Sequence, residues 1–73
     1  MKVKTKVKFD DGVVKIDAGT TLDIRSVGYG ADSILITWCV GEQLIGGKFF
    51  PINNGSSFPI PADFINLFCF EVT

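Results

Sequence analysis

The 73-residue chain contains no histidine, which removes the usual general base and the commonest metal ligand together. It has only two cysteines, Cys39 and Cys69, 30 residues apart and without metal-ligand spacing. Each sits in an apolar strand pattern, so buried reduced thiols are the leading reading, and a disulfide between adjacent strands is the minor one. No apolar run approaches the roughly 20 residues of a membrane-spanning helix. Lys2, Lys4, Lys6 and Lys8 interrupt any apolar stretch at the start, so no signal peptide and a cytoplasmic location are expected. A net charge of −1 excludes a strongly basic nucleic-acid binder and an acidic mimic of DNA alike. Repeats, linkers and low-complexity segments are missing, as is any amphipathic helix of useful length.

What the chain does have is apolar content, 47% in a body too small to bury it all. An exposed apolar patch that favours self-association or a protein partner is one consequence. Scattered exposed side chains without meaning are the alternative.

Lys2 to Phe9 alternates, with Val3, Thr5, Val7 and Phe9 on one face and four lysines on the other, as in a half-buried strand. The lysines read either as a solvated face that discourages edge pairing or as a basic stripe near phosphate spacing. Asp10-Asp11-Gly12 and Asp17-Ala18-Gly19 are turn signals around a short extended piece, Val13 to Ile16. Thr21 to Ile24 places Leu22 and Ile24 inward, with Asp23 and Arg25 outward, and Gly28 to Asp32 is a loop able to hold a hairpin. Ser33 to Val40 reads as a central strand, Ile36 and Trp38 on one face and Thr37 and Cys39 on the other. Gly41-Glu42 is a candidate tight turn, Gly46-Gly47 a bulge or bend, Pro51 a strand edge, and Asn53 to Ser57 a loop. Val7, Leu22, Ile24, Ile36, Trp38, Ile60 and Phe64 are the expected core.

The organising stretch runs from Phe58 to Phe68: an extended segment, one tight helical turn opened by Pro61, and a terminal strand to Val72. The predicted fold is all-β: one small barrel over residues 1–73, of five or six strands with a short 3₁₀ turn before the last. Two segments, Val14 to Ile24 and Phe58 to Ile65, resemble SH3 domains, the first leaving a long loop through a glycine and the second closing the barrel with a proline and an aromatic. The order and spacing fit over about Phe9 to Leu67 if the fold is taken as about 60 residues. That resemblance implies binding of proline-rich peptides. Pro61 and Phe64 match the closing proline and aromatic, but tyrosine is usual at the second and asparagine where Asp63 stands. Phe9 has no aromatic companion, Asp11 standing in its place, and Trp38 is single and lies within a strand. The peptide groove is therefore poorly equipped.

Enzymatic chemistry is not expected. Adjacent Asp10 and Asp11 suit a solvated turn, no basic residue adjoins either cysteine, and Gly28-Tyr29-Gly30 lacks the surroundings of a phosphate loop. No cofactor and no metal are implied. A protein-interaction module or small assembly subunit fits, in the setting of a phage or prophage accessory protein, with Phe49, Phe50, Phe68 and Phe70 as anchors. In the strand after Phe64, either Phe68, Phe70 and Val72 or Leu67 and Cys69 face outward. The second class is a nucleic-acid-binding barrel using Lys2, Lys4, Lys6, Lys8, Arg25 and Tyr29.

Overall fold

The computed structural model describes residues 1–72. Antiparallel strands make up just over half of the described residues, with one α-helix among them. The strands are β1 (Lys2–Thr5), β2 (Phe9–Asp10), β3 (Lys15–Ile16), β4 (Thr21–Tyr29), β5 (Leu35–Ile45), β6 (Lys48–Pro51), β7 (Phe58–Pro61) and β8 (Cys69–Val72), and helix α1 (Ala62–Phe68) separates the last two. Six strands form one sheet in the order β6-β5-β4-β1-β8, with β7 on β5, and the sheet does not close on itself. β2 and β3 pair as a separate small hairpin.

β5 is the spine. Its first half lies between β4 and β7 and its second half pairs with β6. Eleven residues at roughly 3.3 Å each span about 35 Å, which accounts for most of the molecule's 39 Å long axis. Two hairpin arms therefore project from the packed middle: the β4–β5 end with Tyr29 and Leu35, and the β5–β6 end with Leu44 and Phe49.

The core comprises Val3, Val14, Ile16, Leu22, Cys39, Ile52, Phe58, Ile60, Ile65 and Cys69, with Phe9, Ile24 and Phe64 packed at its margin. Leu22 and Ile60 are fully buried as expected; Ile24, Ile36 and Phe64 are half-buried. Two expected core residues lie outside. The first strand stops at Thr5 because the chain is tied there: Thr5 Oγ1 donates to the Asp17 carbonyl at 3.0 Å and accepts from the Thr20 amide at 3.1 Å. The backbone then bends, Lys6 N–H donating to the Phe68 carbonyl at 2.7 Å, and Val7 falls outside the alternation and is exposed. Trp38 is 39% exposed. Both faces of β5 are apolar, and the one carrying Thr37 and Cys39 turns inward against Ile60 and Phe58, their cross-strand neighbours on β7. Those large side chains already fill a narrow interior, so β5 contributes its small ones.

Three local expectations change. Gly41-Glu42 is not a turn; β5 runs straight through it. Gly46-Gly47 is the turn instead, a two-residue hairpin loop closed by Ile45 and Lys48, with φ of +59° and +81°; this is the geometry that glycine pairs adopt without strain. The segment after Pro61 is a seven-residue α-helix, not a single 3₁₀ turn. Ala62 and Ile65, three apart, bury one face, and Phe64 and Phe68, four apart, meet with tilted rings at 5.4 Å beside it. Phe64 also meets Phe9 edge-on at 4.8 Å. α1 thus plugs the open side of the sheet between β7 and β8.

Candidate functional site

The outer face of the sheet carries the features worth examining. Cross-strand neighbours share a face, so the registers define its rows. One row reads Val72, Lys2, Asp23, Val40; the next reads Phe70, Lys4, Thr21. Beyond them, on the β5–β6 arm, Glu42 faces Pro51 and Leu44 faces Phe49. Residues of the arm and of the Asp17–Thr20 loop join these rows in lining an open cleft of about 950 Å³. Lys2 and Lys4 line it with Asp17, Asp23 and Glu42, while Val40, Leu44, Phe49 and Pro51 supply apolar wall.

The loop forming one rim is fixed by a buried polar knot. Thr20 Oγ1 donates to the Asp17 carbonyl at 2.7 Å, and the Gly19 amide donates to the Thr5 carbonyl at 2.8 Å. No buried side-chain polar atom among the described residues lacks a partner, so this knot is satisfied structure and not an unused binding group.

The anchor residues named from sequence divide. Phe49, 69% exposed, and Phe70, 44% exposed, lie on the outer face at opposite margins of the sheet. Phe50 faces the other way, opposite Gln43. Phe68 belongs to α1, so strand alternation begins only at Cys69, which is buried while Phe70 points out. The lysine stripe is broken as well. Lys2 and Lys4 line the cleft, whereas Lys6 and Lys8 lie beyond the bend, outside it. Arg25 is the extra residue of a β-bulge, and its guanidinium lies 3.5 Å from the Asp23 carboxylate. Tyr29, 79% exposed, sits at the far hairpin end. The six basic and aromatic residues do not converge.

Trp38, Val40, Leu44 and Pro51 were not singled out as surface residues by sequence. They follow from the parity of β5 once its inward face is known, together with the β6 register.

Neither cysteine offers reactive chemistry. Both are free and buried. Burial pushes the Cys39 thiol up to about 11, with the nearby Cys69 and Asp23 adding to the effect; burial raises Cys69 too, against a smaller opposing pull from Lys6. Asp11 moves the other way, because the Val14 and Val13 amides hold its carboxyl below the ordinary carboxylate value. Its job is to close the β2–β3 turn. The Cys39 shift has a checkable consequence. An unfolded thiol ionises near pH 9 and the folded one near 11, so the unfolded state loses its proton first and stability falls as pH rises through that window. Urea midpoints for the native chain should drop between pH 9 and 11, and Cys39→Ala should flatten part of that decline. An unchanged pH dependence in the variant would show that the thiol is not sealed.

Among the described residues no group of histidine, cysteine or carboxylate side chains could hold a metal ion, and no helix is long and apolar enough to cross a membrane. No protein-family model, curated protein or solved structure matches the chain.

Proposed function

We propose that this domain is a small SH3-like barrel that works by contact, docking a protein through its outer sheet face as a module or subunit of a larger assembly. The observation behind this reading is that Trp38, Phe49 and Phe70 are all exposed on one side of the sheet, where no other described element covers them. Aromatic residues in such positions are the usual centres of protein interfaces. Two buried free thiols suit a reducing compartment, in keeping with a cytoplasmic setting. A phage or prophage accessory role would fit a stand-alone contact domain of this size.

Charge favours a protein partner over nucleic acid. The cleft brings two lysines together with three carboxylates, Asp17, Asp23 and Glu42, and a phosphate backbone would meet repulsion where it met attraction. A generic single-stranded oligonucleotide should therefore show no binding beyond weak association at low salt. Micromolar affinity that collapses with added salt and disappears in Lys2→Gln/Lys4→Gln would favour the nucleic-acid reading instead.

The direct test is photo-crosslinking from a benzoyl-phenylalanine placed at position 49 or 70, with position 13, on the exposed β2–β3 turn, as control. Discrete protein adducts from 49 and 70 but not from 13 are expected in cells producing the chain. Adducts equal at all three positions, or at none, would remove the face as a docking surface.

A further inference from the structure

We propose that the occupant of this face is the same face of a second copy of the chain, an inference that rests on the contact reading above. The argument is charge and order. Lys2, Lys4, Asp17 and Glu42 all line the cleft, and none of them forms an ion pair among the described residues, where the only side-chain pair joins Arg25 to Asp23. A partner of one sign would satisfy half of these groups and repel the rest. An occupant that presents both signs can answer Lys4 and Glu42 at once.

The chain itself does so. Across the outer face the strands run β8, β1, β4, β5, β6. They carry in turn an aromatic (Phe70), a lysine (Lys4), a neutral residue (Thr21), a carboxylate (Glu42), and an apolar margin (Pro51 and Phe49). Leu22 pairs with Gly41, so Thr21 stands across from Glu42 and these residues form one row. A two-fold axis lying along β4, between two facing sheets, maps β1 onto β5 of the other copy and β8 onto β6. Lys4 of each copy then meets Glu42 of the other, twice over, and each Phe70 meets Pro51 and Phe49. Packed sheets lie about 10 Å apart, a gap that a lysine and a glutamate reaching from opposite sides can close. Asp23 falls next to the axis, where two like charges would meet, but each is already matched by its own Arg25 at 3.5 Å. An interface of this kind is isologous, the same patch on both subunits.

Sedimentation equilibrium over a hundredfold concentration range tests this, with three proteins: the native chain, Lys4→Glu and Glu42→Lys. The native chain should dimerise. Each variant should raise the dimer dissociation constant at least tenfold, because both copies of the contact become like-charged. An equimolar mixture of the two variants should regain a heterodimer of near-native affinity, since unsubstituted Lys4 and Glu42 then meet in one contact and the two substituted positions meet with opposite charges in the other. Phe49→Ser, on the projecting arm, should weaken the dimer without help from any charge. Circular dichroism melts of each variant verify that the fold persists. A native chain monomeric throughout, variants as dimeric as the parent, or a mixture that fails to recover would each overturn the second copy as occupant. Monomeric protein that still gives face-specific adducts to a different protein defeats only this inference. Loss of face-specific adducts as well defeats the contact reading with it.

Discussion

Phe58→Ala is expected to leave the domain unfolded at room temperature. Phe58 is completely buried and stands across from Cys39, in the hydrophobic core of the described residues. Truncating a buried phenylalanine costs about 3–5 kcal/mol, from lost transfer energy plus the cavity left behind. A domain of this length has a total stability of roughly 4–11 kcal/mol, with small domains at the lower end. The loss is therefore comparable to everything available. Two other phenylalanines calibrate the result. Phe64 is half-buried against Phe9 and Phe68 at the core margin, so its truncation should cost less. Phe49, exposed on the β5–β6 arm, should lie within about 0.5 kcal/mol of the parent when measured on the monomer. Urea titrations monitored by Trp38 fluorescence would rank the three. A folded Phe58→Ala with an unfolded Phe49→Ala would invert the assignment of inside and outside.

The same ranking shows where the sequence was informative. Apolar positions flanked by polar ones, such as Val3 and Leu22, declared their direction, and both are buried. So did the proline-bounded stretch around Ile60. β5 could not, because Ile36, Trp38 and Val40 compete with Leu35, Thr37 and Cys39 and both sets are apolar. The choice is made by Phe58 and Ile60, some 20 residues downstream, which claim the interior volume first. Tryptophan is the natural guess for a core and the wrong one here, because size works against a residue in a narrow interior whose space is already taken. The bulge at Arg25 is equally silent: nothing in Ile24-Arg25-Ser26 announces an extra residue, yet it resets the register that follows. The helix after Pro61 was legible as a turn but not in its length, which depends on Ala62 and Ile65 finding β-strands to pack on.

For the candidate site the limit was different. Phe49 and Phe70 were both visible as candidate anchors, but their common face is a property of strand order. They are brought to one side by a sheet in which β1, from the start of the chain, lies between β4 and β8. Lys2 and Lys4 reach the cleft by the same non-local pairing, while Lys6 and Lys8, next to them in sequence, do not. A period of two assigns sides within a strand and says nothing of which strands adjoin.

Gly41→Val should lower the melting temperature by roughly 10–20 °C, for a reason confined to one atom. A Cβ at position 41 would lie 3.0 Å from the Thr21 carbonyl oxygen and 3.0 Å from Leu22 Cδ2. The first of these neighbours is backbone and cannot swing aside. Relief requires β4 and β5 to separate where Leu22 pairs with Gly41, beside a core leucine that is fully buried. Forcing extra carbons into so close a contact costs about 1–3 kcal/mol, and each kcal/mol moves the midpoint of a domain this size by roughly 4–8 °C. The strain also acts on the cleft, since Thr21, Asp23, Val40 and Glu42 flank the same pair and hold the face in register. Gly28 provides the control. It lies in β4, its φ is ordinary, and a Cβ there would meet nothing within 4 Å. Gly28→Ala should be neutral or slightly stabilising, because glycine weakens a strand interior through backbone entropy alone. Thermal melts of the two variants side by side separate steric exclusion from a general dislike of substitution in β4 and β5. Equal losses at both positions would mean that the close approach of the strands at Gly41 is not what glycine is needed for.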